Sequence, residues 1–262
     1  MQDSFSYNVF EFSDGRFNET SITAIQEIPL TIYLNEHEVV TLLCTGKDPP
    51  SLAVGLLKSD GLLTDRKELK ELQIEKESDR IVAHVFTTHD PFSSHGMRLS
   101  ITSGCGKGTN FAQNMAEVNH VFLTSDIKIS PEALFSLMEA LNKRSKLYKA
   151  TGGCHNAALS VSDRLLIFYE DLGRHNAIDM IQGKTFLEDI YTNDKLIVTT
   201  GRISSEILIK AIRIGVPILV SRSAATRFAI DLARKTNMTL IGYVRGERMT
   251  VYNHAGRIKG LP

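Results

Sequence analysis

The chain has 262 residues, 42 % of them apolar, and equal numbers of basic and acidic side chains, 30 of each. That is the composition of a globular α/β-sized protein with a full core, and it excludes a disordered chain. No apolar run reaches the ~20 residues needed to cross a bilayer. Residues 1–20 hold Asp3, Glu11, Asp14 and Glu19, which suits neither a signal peptide nor a transit peptide.

Residues 1–24 are polar and weakly patterned and read as an irregular lead-in. Glu27–Leu34 and Val39–Cys44 read as two strands around Asn35-Glu36-His37-Glu38, a hairpin signal. Pro49-Pro50-Ser51 starts a helix that stops near Gly61. Glu68–Lys76 and Arg80–Thr88 form a second hairpin turning at Ser78-Asp79. Residues 89–125 lack clear periodicity and read as one long loop, functional or mobile.

Inside that loop lies Ser103-Gly104-Cys105-Gly106-Lys107-Gly108-Thr109. Cys105 has glycine on both sides, which uncovers the thiol, and Lys107 nearby favours the thiolate, the nucleophilic form. An incidental cysteine in an ordinary flexible loop is the plain alternative. Cys44 ends an apolar run and reads as core. Cys154 stands beside His155, but sequence neighbours seldom have the geometry of a catalytic pair. Three cysteines, an odd and low number, fit a reducing compartment and predict a cytoplasmic protein.

Ser130-Pro131-Glu132 begins a helix expected to run to about Tyr148. Thr151-Gly152-Gly153 breaks the chain. Ala157–Val161 and Leu165–Tyr169 form a hairpin, and a helix follows from about His175. Strands at Leu196–Thr200, Val216–Val220 and Thr239–Val244 then alternate with helices at Ser204–Ile214 and Ala224–Lys235. Such alternation predicts parallel βαβ units. Met249–Asn253 adds an antiparallel strand. Residues 1–125 are read as an α+β portion carrying the Cys105 loop, and 126–262 as an α/β cofactor-binding portion.

From Thr200 to Pro262 there are eleven Lys/Arg against three Asp/Glu, which points to an anionic partner. In βαβ folds ligands sit beyond the C-terminal strand ends. Thr199-Thr200-Gly201-Arg202, Ser221-Arg222-Ser223 and Tyr243-Val244-Arg245-Gly246-Glu247-Arg248 are expected at that edge, where helix starts and arginines receive phosphate. Glu170-Asp171-Leu172-Gly173-Arg174-His175-Asn176 follows a strand and opens a helix, so it can shape an active site or an anion pocket. Each of these segments also reads as a cap or a tight turn. Gly106-Lys107-Gly108-Thr109 is not a phosphate loop, no Cys-x-x-Cys occurs, and the zinc-deaminase signature is absent.

Taken together, Thr151-Gly152-Gly153-x-His155, Glu170–Asp179, Gly201–Glu206, Pro217–Ala224 and Leu240–Arg245 resemble the FdhD family of formate dehydrogenase accessory sulfurtransferases. Cys44-Thr45-Gly46 and Leu52–Leu57 fit it too. The resemblance implies an α/β, cytidine-deaminase-like core without zinc, beside a smaller α+β N-terminal portion, in a cytoplasmic homodimer. It also implies that sulfur arrives as a persulfide from a cysteine desulfurase. The sulfur then passes to the bis(molybdopterin guanine dinucleotide) molybdenum cofactor required for formate dehydrogenase activity. No resident metal, nucleic-acid partner or membrane partner is implied.

In that family the persulfide cysteine lies in a Cys-Gly-x-Cys-Gly loop, whose first cysteine matches Cys105. The family's cofactor-binding segment maps onto Tyr243, Val244, Arg245, Gly246, Glu247 and Arg248. Its second loop cysteine falls at Gly108 here. That departure keeps open a second reading, a non-catalytic carrier of the cofactor.

Overall fold

The computed structural model describes residues 4–92, 111–253 and 256–261, so Cys105 and its neighbours lie outside the described residues. The first element corrects the sequence reading. Instead of an irregular lead-in, β1 (Ser4–Ser13) and β2 (Arg16–Ile25) form a long antiparallel hairpin, a two-stranded sheet of its own. Asp14 and Gly15, at φ 52° and 78°, make the turn. Asp-Gly at the centre of a two-residue turn is a strong hairpin signal. It was hidden because the flanking aromatics point to both faces, so neither face reads as apolar.

β3 (Ile28–Leu34), β4 (His37–Cys44), β5 (Leu69–Lys76) and β6 (Ile81–Thr87) make a four-stranded sheet in the order β4-β3-β6-β5. The two expected hairpins are present, and β3 and β6 join them in parallel. Leu30, Ile32 and Leu34 alternate toward helix α1 (Pro49–Ser59) and are fully buried there with Ala83 and Val85. Asp48 caps α1 by accepting from Ser51 N, and Pro49 and Pro50 fill the first positions.

α1 crosses α5 (Arg174–Leu187) with almost nothing between the two backbones. A β-carbon added at Gly55 would lie 1.8 Å from the Asp179 carbonyl oxygen. One added at Gly183 would lie 1.8 Å from that of Ser51. Ser59 Oγ, one turn past Gly55, lies 2.5 Å from Asp179 Oδ1 and 2.6 Å from Gln182 Oε1. Lys210 Nζ, 2.6 Å from Asp179, neutralises that buried carboxylate.

The second large sheet has six strands in the order β12-β11-β10-β9-β7-β8: β7 (His155–Ser160), β8 (Leu165–Asp171), β9 (Leu196–Thr199), β10 (Ile218–Ser221), β11 (Thr239–Arg245) and β12 (Arg248–Asn253). β9, β10 and β11 are parallel, as the alternating pattern predicts. α5, α6 (Ser205–Ile214) and α7 (Arg227–Lys235) cover one face, packing on Leu159, Ile197, Leu219 and Leu240. α3 (Pro131–Arg144) covers the other, on Ala158, Val198, Val220 and Ile241. Neighbouring residues of each strand therefore feed opposite cores, as a sheet covered on both faces requires. The fold is mixed α/β.

Two further expectations change. The helix from Pro131 does not run unbroken to Tyr148: Ser145 adopts an extended backbone, and α4 (Lys146–Thr151) starts after it. The Ser145 hydroxyl is fully buried against Asn156 Oδ1 (3.0 Å) and Glu170 Oε2 (2.9 Å), and turning inward to reach them ends the helix. Within the span read as a loop, residues 111–118 form helix α2 (Phe111–Val118), which packs against α6.

At the C-terminus, buried Arg257 donates to the carbonyls of Asn237 (2.6 Å) and Leu123 (2.8 Å). Ile258 makes a parallel bridge with Ile129, just before α3. Among the described residues no helix is long and apolar enough to cross a membrane.

Candidate functional site: a basic shelf at one sheet edge

β8, β9, β10 and β11 run in the same direction, so their C-terminal ends share one edge of the sheet. The segments expected there all meet at it: Asp171–Arg174, Thr199–Arg202, Ser221–Ser223 and Tyr243–Arg248. They are braced to one another as well as adjacent. Thr200 N donates to Asn156 O, Arg222 N to Thr199 O, and Tyr243 N to Ser223 O, each at 3.0 Å. Ser221 Oγ donates to Gly201 O at 2.6 Å. The result is a shelf of stacked loops whose backbone is largely satisfied. Arg202, Arg222, Arg245 and Arg248 remain exposed along it. Four guanidiniums with fixed forks along one ridge suit a ligand carrying several anionic oxygens.

At the end of the shelf β11 is irregular. Its register with β12 shifts between Gly242 and Arg245, and Tyr243 has φ 52°. A β-carbon at Gly242 would stand 2.8 Å from Ser223 O, so only glycine lets the β10 loop come this close. Arg245 and Arg248 pair across Gly246-Glu247, and Gly246 supplies the positive φ (55°) of the tight turn. Tyr243, Arg245, Glu247 and Arg248 line a shallow open groove of ≈ 760 Å³ with Met249, Thr250 and Phe135. Val244 does not join them. Its side chain is 1 % exposed in the α3 core, so it offers a ligand only backbone. Phe135, on α3, was missed from sequence, where it is one more apolar residue of an amphipathic helix.

A tyrosine at positive φ is strained by about 1 kcal/mol. Tyr243→Gly is therefore expected to raise the melting temperature slightly, and Tyr243→Val to lower it, because a β-branched residue tolerates this backbone worst. Paired thermal melts check both.

The Glu170–Asn176 run lies between the shelf and the N-terminal sheet. Asp171 is fully buried. It accepts from Thr45 N (2.8 Å), Thr45 Oγ1 (3.0 Å), Gly173 N (3.1 Å) and Asn176 Nδ2 (2.7 Å). Burial raises its pKa, and those donors pull the other way. Glu170 takes Lys47 Nζ at 2.9 Å, and Tyr169 donates its hydroxyl to Asp48. Thr45–Asp48 and Tyr169–Asp171 thus close like a zip. The two acids hold the halves together, with Arg174 lying against the shelf at Gly201 and His175 beside Glu206. Sequence alone did not reveal Lys47 as the partner of Glu170; no spacing rule links residues 123 apart.

Arg174 lays its stem over Gly201, where a β-carbon would meet it at 2.9 Å. Its Nε is buried without a hydrogen-bond partner, as is His175 Nε2. Glu206 Oε2 stands 3.7 Å from that nitrogen, too far for a hydrogen bond. Burial, with Lys210, Arg174 and His155 close by, pushes His175 down to about 3, so it is a neutral imidazole and no ion pair at physiological pH.

The described cysteines are poor nucleophiles. Cys44 is buried, donating toward Ile28 O, and burial plus Asp171 push its thiol up to about 12. Cys154 is buried, and burial plus Glu170 push it up to about 11. The sequence placed Cys44 in the core, and it is there. The chain approaches the Cys105 segment past Phe92, packed edge-on to His37, and leaves it through α2, where Glu117 meets Arg213 at 2.5 Å.

A mixed α/β protein with a basic, loop-built ledge along one sheet edge is the class that fold and site define. The matching family model is that of the FdhD/NarQ family, over residues 25–259. The sulfur carrier protein FdhD of Bacillus subtilis (strain 168) is 38 % identical, with 96 % of each chain covered. That of Listeria innocua is 38 % identical, covering 95 % of this chain and 97 % of the relative. A crystal structure of a candidate formate dehydrogenase accessory protein from Desulfotalea psychrophila superposes with a TM-score of 0.80. It covers 98 % of this chain and 100 % of that one, and at 24 % identity the likeness is one of fold. The chain belongs to the FdhD/NarQ family.

Proposed function

We propose that this chain is a cytoplasmic sulfur carrier for formate dehydrogenase, built on a core of the cytidine-deaminase kind. Cys105 receives persulfide sulfur from a cysteine desulfurase and passes it to the bis(molybdopterin guanine dinucleotide) molybdenum cofactor. The observation that carries the reading is the gathering of Arg202, Arg222, Arg245 and Arg248 along one braced edge. A guanine dinucleotide brings pyrophosphates, and the edge presents the matching donors. The elevated thiols of Cys44 and Cys154 also support Cys105 as the site of exchange.

In the first step the Cys105 thiolate attacks the outer sulfur of the donor's persulfide. The donor's S–S bond breaks, its cysteine leaves as thiolate, and Cys105 holds the outer sulfur. In the second step the cofactor, which is the substrate, gives an electron pair to the outer sulfur: the S–S bond breaks, Cys105 leaves as thiolate, and the cofactor keeps the sulfur and is oxidised by two electrons. Gly108 stands where relatives keep a second cysteine, so release by a disulfide within the loop is not open to this chain.

Incubation with a cysteine desulfurase and cysteine is expected to add about 32 Da at Cys105, lost on reduction. Cys105→Ala is expected to show no such gain and not to restore formate dehydrogenase activity in a strain lacking this gene. Gly108 favours one rival, a cofactor carrier without sulfur chemistry. Retained guanine-nucleotide binding with no adduct on Cys105 is the outcome that would select it.

A further inference from the structure

The ledge gathers arginines for anionic oxygens, yet the turn that ends it carries an acid. Glu247 sits between Gly246 and Arg248 and lines the ≈ 760 Å³ groove, where it is the one acidic residue among those described. A carboxylate beside a phosphate site opposes the ligand's charge, so its place there needs a separate reason. Pairing with its neighbours is not that reason. Among the described residues the Glu247 carboxylate makes no hydrogen bond and no ion pair. Arg245 turns instead to the loop after β10, its Nε donating to Arg222 O at 3.2 Å. Glu247 is exposed and keeps the acceptor capacity of both its oxygens for a ligand.

The rest of the groove suits a flat ring. Phe135 and Met249 are half-buried against the α3 core and give it an apolar floor. Tyr243 lines the same groove and is 47 % exposed. Its backbone is held at φ 52°, a strained conformation of the kind that collects at ligand sites. A large aromatic kept in that conformation, outside the cores, fits a ring that stacks on a nucleobase.

We infer that the groove holds a purine base and that Glu247 selects guanine over adenine. The inference rests on the reading of the ledge as a guanine-dinucleotide site, which names the nucleotide but not the group that recognises its base. Guanine presents two donors side by side, N1–H and the N2 amino group, and the two oxygens of one carboxylate accept both. Adenine presents a bare N1 lone pair and no amino group at C2, so the same carboxylate meets repulsion. Guanine's O6 and N7 accept from a guanidinium, and Arg248 stands exposed beside Glu247.

Equilibrium dialysis of the full chain against GDP, IDP, ADP and XDP tests the assignment. GDP is expected to bind about tenfold more tightly than ADP, and also more tightly than IDP, which lacks only the N2 amino group. Glu247→Gln alters an exposed turn and should fold as its parent does, which circular dichroism checks. Loss of the negative charge tightens every diphosphate, so the readout is the ratio between bases. In Glu247→Gln the GDP-to-ADP ratio should fall to within about threefold. XDP should gain relative to GDP, because a glutamine amide donates to the xanthine O2 that a carboxylate repels. A purely structural or charge role for Glu247 moves neither ratio. Tyr243→Ala should weaken GDP and ADP alike by about tenfold and leave their ratio unchanged.

Three results overturn the inference: an unaltered chain that binds GDP and ADP equally, a Glu247→Gln variant that keeps the parent's GDP-to-ADP ratio, or a Tyr243→Ala variant that binds GDP as tightly as its parent. Each leaves the cofactor reading standing, since GDP still binds. A chain that binds none of the four nucleotides overturns both.

Discussion

Gly183→Leu is expected to yield no folded protein, and Gly183→Ala a protein that melts far below its parent. The β-carbon alone would stand 1.8 Å from Ser51 O and 2.8 Å from Gly55 N. Both are backbone atoms of α1, so no rotamer change relieves the clash. The helices must part, and parting them breaks the Ser59 contacts to Asp179 and Gln182 and the Arg213 bonds to the end of α1. Overpacking against side chains costs about 1–3 kcal/mol. Against backbone, with buried polar groups stranded as well, the loss should exceed about 4 kcal/mol, a large share of the 5–15 kcal/mol that holds a domain together. Gly153→Ala is the control: its nearest neighbour is the Ile25 side chain at 3.4 Å, an ordinary contact. Denaturant melts of the two alanine variants should differ by several kcal/mol. If they coincide, the α1–α5 crossing is not the tight junction described.

Acid is expected to destabilise the protein through His175, starting well above the range in which carboxylates titrate. Folded, this histidine is pushed down to about 3; unfolded, it returns to its ordinary 6.5. Between those values the unfolded chain binds a proton that the folded chain refuses. The contribution is whole above pH 6.5 and is lost progressively as pH falls toward about 3. By pH 4 the loss amounts to about 3 kcal/mol. Asp60, Asp171 and Glu206, raised by burial, act in the opposite sense, since their folded forms hold the proton more tightly. The comparison that isolates His175 is therefore the stability gap between the parent and His175→Asn. It should shrink by about 3 kcal/mol between pH 7 and pH 4. A gap that stays constant would mean that His175 is protonated in the folded protein.

How far the sequence could be read depended on whether a signal was local. The alternation of strands and helices after Leu196 is local in period, and β9, α6, β10, α7 and β11 stand where it put them. The shelf followed from that topology, because parallel strands deliver their following loops to one edge. Ser130-Pro131 announced α3, since a cap and a fixed φ act within four residues. What failed was non-local. Gly55 lies inside a helix with no local reason to be glycine, and only the partner glycine 128 positions later gives it a purpose. Ser145 is an unremarkable helix residue until Glu170 and Asn156 are brought beneath it. The hairpin of residues 4–25 had a local turn signal, but its apolar residues serve two faces, and periodicity finds a buried face only when one exists.

The segment around Arg257 touches three places at once: the carbonyl of Leu123 downstream of α2, the end of α7 at Asn237, and, through Ile258, the approach to α3 at Ile129. Those places belong to distant stretches of the chain, and they are joined only after residue 257 has been synthesised. Shortening the protein after Asn253 would leave α7 without its last carbonyl partner and leave the strip leading from Cys105 into the core untied at one end. The segment at Arg257 is the knot that closes the fold, tying the stretch that follows α2 to the end of α7 only once both are in place.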